Sequence, residues 1–163
     1  MPSVGEGYLV YETPIGPLVV RGDDEAVTSV SFADGRHQGA PNAGGWPGGE
    51  ALLRAVGELT EYFSGARRVF SVPVRPRGTP FQEAVWEALT HVPYGTTVTY
   101  GALAARLGQP RAVRAVAQAL ARNPVAVIVP CHRVVGHDGS LTGYAGGLER
   151  KAWLLRHERG VHQ

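Results

Sequence analysis

Apolar and polar positions are distributed in two different ways along the 163-residue chain. In the first part, Tyr8–Tyr11, Leu18–Arg21 and Ala26–Phe32 are short runs rich in β-branched and aromatic residues, which predict strands. The turn-forming stretches Thr13-Pro14-Ile15-Gly16-Pro17 and Gly22-Asp23-Asp24 separate them. The segment from Ala33 to Gly49 is rich in Gly, Pro and Asn and predicts a loop. From Ala51 to Phe63 the period changes: Leu52, Leu53, Val56, Leu59 and Phe63 recur at helical spacing. Val69–Val74 predicts another strand, and Arg75–Pro80 a linker.

Helical periods dominate from there on. Thr79-Pro80 is a helix opening, a capping hydroxyl followed by proline at the first helical position. Phe81, Val85, Trp86 and Leu89 form one apolar face, and Pro93-Tyr94-Gly95 ends that helix. Tyr100–Leu107 predicts a short helix closed by Gly108. Pro110–Ala121 predicts another, stopped by Asn123-Pro124. Two short helices joined at a glycine are the signature of a helix-turn-helix. On the second of them, Val113, Val116, Ala117 and Leu120 share one face. Arg111, Arg114, Gln118 and Arg122 share the other, a pattern that fits either phosphate contact or a plain solvated face. Val125–Val129 is a continuous apolar run, consistent with a buried strand, and Leu148–His157 is a last helix. No internal repeat is present.

Composition narrows the class. A hydrophobic fraction of 44% with 18% charged residues supports a packed core and argues against global disorder. No apolar run reaches about 18 residues, so no membrane-spanning helix is expected. The first residues, MPSVGEGYLVYE, lack a basic segment followed by an apolar one, so a cytoplasmic protein is expected. A single cysteine can make neither an internal disulfide nor a multi-cysteine zinc site. No metal is therefore expected, and without a Gly-rich dinucleotide or methyl-donor loop, no cofactor either. Charge is uneven. Residues 1–78 hold seven arginines against nine carboxylates, whereas 79–163 hold eight arginines and the one lysine against five. The basic half points to a polyanionic partner.

The apolar run at 125–129 delivers Pro130-Cys131-His132-Arg133-Val134. A thiol is a good nucleophile only as thiolate, and a free one titrates near about 8.5. An adjacent base is needed, with a carboxylate to orient it. His132 is next in sequence, and Glu158, at the end of the last helix, is a candidate carboxylate. Neighbours on a strand face opposite ways, so a turn at Cys131 or a bridging water would be required. Read alone, the same residues fit a buried thiol beside a core histidine.

Pro130-Cys131-His132-Arg133-Val134 resembles the active-site signature of the O6-alkylguanine-DNA alkyltransferases (methylated-DNA–protein-cysteine methyltransferases). The resemblance continues in order and spacing. It runs through Phe81-Gln82, Val85-Trp86, Pro93-Tyr94-Gly95, Tyr100, Arg114-Ala115-Val116, Asn123-Pro124, Gly143-Tyr144, Gly146-Gly147-Leu148, Lys151, Trp153-Leu154-Leu155 and Glu158. It is close over about residues 79–158.

The resemblance implies an RNase H-like α/β lobe over residues 1–76, a small antiparallel sheet plus a helix. It implies a mainly helical, winged-helix-like lobe with a helix-turn-helix over 77–163. It implies a protein that acts once on double-stranded DNA carrying alkylated guanine, with O4-alkylthymine a further candidate substrate. Cys131 would accept the alkyl group, with His132 as a water-mediated base and Glu158 orienting it. The target base must leave the stack to be reached. Arg114 would fill its place, Tyr100 would assist flipping and donate to guanine N3, and Arg111, Gln118 and Arg122 would line the DNA-facing side. Asn123 would tie the helix pair to the active-site segment. Tyr144, Ala145 and Gly146 would close over the base, and Lys151 would support the site or lie on the surface.

Two departures stand out. Ala117 replaces a glycine common in the family, beside a longer Gln118 and Arg122. Ala145 replaces a serine found in some members, which leaves only backbone donors there. Trp86, Trp153 and Leu154 are expected in the core, and the protein is expected to be a monomer. Two other readings remain: a non-catalytic binder of damaged DNA, and a cysteine hydrolase, disfavoured because no oxyanion-hole glycine segment precedes Cys131.

Overall fold

The computed structural model describes residues 7–33 and 49–160. Most of the expected Ala33–Gly49 loop and the residues before Gly7 lie outside the described residues. The chain divides into two compact units. One runs to Pro76 and also takes in Pro124–Ile128. The other comprises Arg77–Asn123 and the chain from Val129 onward.

The first unit is an antiparallel meander in the order β1 (Gly7–Thr13), β2 (Gly16–Gly22), β3 (Val27–Phe32), with helix α1 (Glu50–Phe63) packed on it. Thr13 pairs with Gly16, so Pro14-Ile15 is a two-residue hairpin loop. The Thr13 hydroxyl accepts from the Ile15 N–H and donates to the Gly16 carbonyl, which fixes the register. In the central strand β2, Leu18, Val19 and Val20 are all buried, which accounts for an apolar run without alternation. From α1, Leu52, Ala55, Leu59 and Tyr62 complete the core.

Two predicted strands are absent. Of Val69–Val74, only Val74 bridges to β3, at Val27. The buried Glu58 carboxylate takes the N–H groups of Ser71 (3.0 Å) and Val72 (3.1 Å), and Pro73 has none to offer. Those donors are therefore lost to a ladder. Of Val125–Val129, only Val125 bridges to β3, at Val30. The chain then turns, with the Ile128 N–H donating to the Ala126 carbonyl (2.8 Å) across Val127, whose φ is +71°. A β-branched residue there stores about 1–3 kcal/mol of strain. Val127 is fully buried, so its packing holds the conformation in place.

The second unit contains α2 (Pro80–Leu89), β4 (Val98–Thr99), α3 (Tyr100–Arg106), α4 (Val113–Ala121), a 3-10 turn at Cys131–Arg133, β5 (Val134–Val135) and α5 (Leu148–Arg159). The helix opening at Thr79 forms a capping box: the Gln82 N–H donates to the Thr79 hydroxyl and the Thr79 N–H to the Gln82 side chain. Trp86 is buried and donates its indole N–H to the Ala119 carbonyl (2.8 Å), joining α2 to α4. Leu154 is buried as expected, while Trp153 is half-buried and stacks on His157. Gly108, at φ +75°, turns the chain between α3 and α4.

Helix α4 starts at Val113 rather than Pro110, because no side chain caps it and the Ala112 N–H closes a turn on the Gln109 carbonyl instead. Arg111 therefore precedes the helix, and Arg122 caps its end. Helix α5 extends to Arg159, past the expected His157. Strands β4 and β5 pair in parallel, Val98 with Val134 and Thr99 with Val135. That pairing brings Tyr100, which follows β4, toward the segment that follows Cys131. Among the described residues, no helix is long and apolar enough to cross a membrane.

Candidate active site at Cys131

Two consecutive turns set the position of Cys131. The Cys131 N–H donates to the Val129 carbonyl (2.8 Å) across Pro130, at φ −84° and ψ 65°, an inverse γ-turn. The Arg133 N–H then donates to the Pro130 carbonyl (3.0 Å), closing the 3-10 turn. Proline favours this because its ring holds φ and it has no N–H of its own to satisfy. The alternation of a strand is thereby broken at Cys131.

Glu158 is the hub. Its Oε2 lies 2.7 Å from His132 Nε2, with both side chains fully buried. Arg133 grips the same carboxylate twice, Nε to Oε1 at 2.8 Å and Nη2 to Oε2 at 2.9 Å, and donates Nη1 to the Val92 carbonyl at 2.7 Å. The Gly95 N–H adds a longer bond to Oε1 at 3.3 Å. Burial alone would raise the Glu158 pKa, but the His132 and Arg133 contacts win and hold it well below the usual carboxylate range. The permanently charged guanidinium keeps it ionised.

His132 is pushed the other way. Burial lowers its pKa, against the raising effect of Glu158. A neutral imidazole beside an ionised carboxylate places its proton on Nε2, so Nδ1 carries a lone pair. That Nδ1 is buried and has no hydrogen-bond partner in the protein. It is a base with a free acceptor site.

Cys131 is buried, and burial raises its pKa, so the resting group is a thiol. Two neighbours oppose that shift: a hydrogen bond from the Asn123 side chain and the charge of Lys151. Asn123 also donates Nδ2 to the Val129 carbonyl (2.9 Å), which holds the segment leading to Cys131. Lys151 is fully buried rather than on the surface, and its Nζ donates to the carbonyls of Thr142 (2.6 Å) and Gly143 (3.3 Å). Burial lowers its pKa, and only the negative charge of a Cys131 thiolate opposes that. A buried ammonium held only by neutral carbonyls favours any anion that forms beside it.

Lys151→Met is expected to make Cys131 harder to ionise. Removing the cation leaves burial less opposed, so the pH at which Cys131 reacts with iodoacetamide moves upward. Rate-against-pH curves that superimpose for the two proteins would refute this.

Tyr144 buries a hydroxyl that has no partner, and burial pushes its pKa well up, further still beside a Cys131 thiolate. Ala145 is exposed and Gly146 half-buried. Arg150 donates to the Gly146 carbonyl (3.2 Å) and the Gly147 N–H to that of Tyr144 (2.9 Å). Tyr100, half-buried at the start of α3, donates its hydroxyl to the Thr142 carbonyl (3.2 Å). That is the carbonyl Lys151 holds, so Tyr100 joins the same network.

Arg111, Arg114, Gln118 and Arg122 are exposed on α4 and its ends, apart from this network. Among the described residues, no cluster of three or more His, Cys, Asp or Glu could hold a metal ion.

Residues 80–160, which contain every group of this network, match the 6-O-methylguanine DNA methyltransferase DNA binding domain. Residues 7–76 match the ribonuclease-like domain of the same methyltransferases. A methylated-DNA–protein-cysteine methyltransferase of Methanosarcina acetivorans is 46% identical over 153 residues, 93% of this chain and 97% of that one. This chain belongs to the 6-O-methylguanine DNA methyltransferase family.

Solved members of the family agree in fold. The crystal structure of the Mycobacterium tuberculosis O6-methylguanine methyltransferase is similar at a TM-score of 0.82 and 39% identity, covering 96% of this chain and 94% of that one. The same organism's protein in complex with DNA is similar at 0.83 and 40%, covering 94% and 93%.

Two members of the network around Cys131 were not singled out from sequence. Arg133 stands 25 positions from Glu158 and read only as part of the motif. Thr142 carried no signal at all.

Proposed function

We propose that this protein repairs O6-alkylated guanine in DNA by moving the alkyl group onto Cys131, once per molecule. One observation carries the reading: a neutral, buried His132 with its Nε2 hydrogen on Glu158 and a free Nδ1, in the same turn as a buried thiol. Nδ1 takes the thiol proton, through a bridging water as the family resemblance implies. The Cys131 sulfur then forms a bond to the alkyl carbon as the carbon–O6 bond breaks. The electron pair leaves with guanine, which is reprotonated. Glu158 stabilises the imidazolium, and Lys151 and Asn123 stabilise the thiolate. The product thioether is uncharged and stable, and no group in the network removes the alkyl group again.

For the base to reach a buried sulfur it must leave the duplex. In this reading α3 and α4 act as a helix-turn-helix, Arg114 enters the stack from the minor groove, and Arg111, Gln118 and Arg122 face the backbone. Tyr100 donates to guanine N3, and Tyr144, Ala145 and Gly146 cover the base. O4-alkylthymine offers the same alkyl–oxygen bond and is a second candidate substrate. A cytoplasmic, monomeric protein needing no cofactor fits the chemistry.

The test is direct. The reduced protein is mixed with duplex DNA containing one O6-methylguanine. Intact-mass spectrometry is expected to show one added methyl group, located on the peptide that carries Cys131. Folded, reduced protein that takes up no methyl group would overturn the proposal.

A further inference from the structure

We propose that Thr142 is a positioning residue that aims the Tyr100 phenol and strengthens it as a donor to the departing base; this rests on the alkyl-transfer reading above. Thr142 holds the phenol from two sides. Its Oγ1 donates to the Tyr100 oxygen at 3.0 Å, and its carbonyl accepts the Tyr100 hydroxyl at 3.2 Å. The two bonds differ in consequence. A phenol has one hydrogen, so in the free protein that hydrogen is committed to the Thr142 carbonyl. At 3.2 Å the bond is long for O–H···O.

The same carbonyl accepts Lys151 Nζ at 2.6 Å, a short, charge-assisted contact. When a base acceptor reaches Tyr100, the hydroxyl can turn to it without orphaning the carbonyl, because Lys151 stays. The Thr142 hydroxyl also stays. Its donation into the phenol oxygen polarises the O–H bond, since chained hydrogen bonds reinforce one another. A leaving guanine gains negative charge as its bond to the alkyl group breaks, so a stronger donor is worth more in the transition state than in the ground state.

The surrounding geometry suits this role. Gly143, at φ +41°, follows Thr142 directly, and Lys151 also holds its carbonyl. The loop is thus pinned by a buried cation on one side of Tyr100. Thr142 itself is exposed, so replacing it disturbs no core packing.

Thr142→Val keeps the shape and removes the donor, while Thr142→Ser keeps the donor. Rate constants for methyl transfer from O6-methylguanine duplex are measured with protein in excess, alongside thermal melts. Thr142→Val is expected to be slower by about three- to tenfold, the worth of one net hydrogen bond. Thr142→Ser should match the native rate, and every variant should melt cooperatively, with Thr142→Val lowered by no more than the loss of that one hydrogen bond. In a Tyr100→Phe background, Thr142→Val should add roughly less than a further twofold, because the partner is already gone. A Thr142→Val protein as fast as the native one would overturn the proposal. So would a deficit that persists undiminished in the Tyr100→Phe background. Failure of the native protein itself to take up methyl would instead sink the alkyl-transfer reading, and this inference with it.

Discussion

Cys131→Ser is expected to take up no methyl group at all while still binding alkylated duplex DNA. A serine hydroxyl in this setting has no means of becoming an anion, because the base that serves a thiol is far too weak for an alcohol. The change removes little bulk, and Asn123, Lys151 and the Glu158 pair remain. Affinity for O6-methylguanine duplex should therefore stay within about 0.5 kcal/mol, roughly twofold, of the native value. Intact-mass spectrometry and a fluorescence binding titration read the two arms. Methyl uptake elsewhere on the Cys131→Ser protein would show that the nucleophile has been misassigned. A native protein that binds alkylated DNA but takes up no methyl would favour the pure damage binder.

Arg133→Met should be the most destabilising single change in the site. It strips a bidentate partner from a buried carboxylate and leaves Glu158 only the His132 contact and the longer Gly95 bond, a loss of about 3–5 kcal/mol. In the native protein Glu158 is depressed, so its contribution is present above about 4.3 and is lost as pH falls below that, where the unfolded chain takes the proton first. His132 is depressed too, so native stability begins to fall as pH drops below about 6.5.

In Arg133→Met, burial of Glu158 is no longer opposed by the guanidinium. Its folded pKa rises toward the unfolded value while the His132 contact still lowers it, so the stability that Glu158 contributes above about 4.3 shrinks. The gap between the two proteins should thus be wide near neutral pH and narrow toward acid. Urea melts between pH 3 and 7 measure it. A gap that is constant with pH would mean that Arg133 acts through packing alone.

Some of the architecture was open to reading in the chain itself. The three strands and α1 followed from period and turn residues because each pattern is local: Pro14 and Gly16 at the hairpin, Leu52 and Leu59 one face of a helix. The opening of α2 was equally legible, since a capping box spans only four residues. The failed strands show the limit. Val69–Val74 and Val125–Val129 have strand composition, yet Glu58 captures the donors of one, and a γ-turn at Val127 bends the other. Glu58 lies outside the window that a periodicity rule inspects, and a positive φ at Val127 leaves no trace in an apolar pattern.

Helix α5 is the clearest case. Its buried stripe is Lys151, Leu154, Leu155 and Glu158, and two of those four are charged. A hydrophobic period cannot find a face that buries an ammonium and a carboxylate. The reason for burying them lies in other segments, in His132, Arg133 and the carbonyls of Thr142 and Gly143.

The sequence by itself singled out the candidate reacting atom and its company. One cysteine exists, and its motif context, out to Tyr100, Asn123 and Glu158, identified the family and so the chemistry. Only the tertiary structure decided how those residues act. It turned Cys131 and His132 out of strand alternation, gave Glu158 to Arg133 as well as to His132, and placed the single lysine inside. It also joined Tyr100 to Thr142. Protonation states and hydrogen-bond partners depend on burial and on distances of a few ångströms between residues far apart in the chain. Those quantities exist only once the chain has folded.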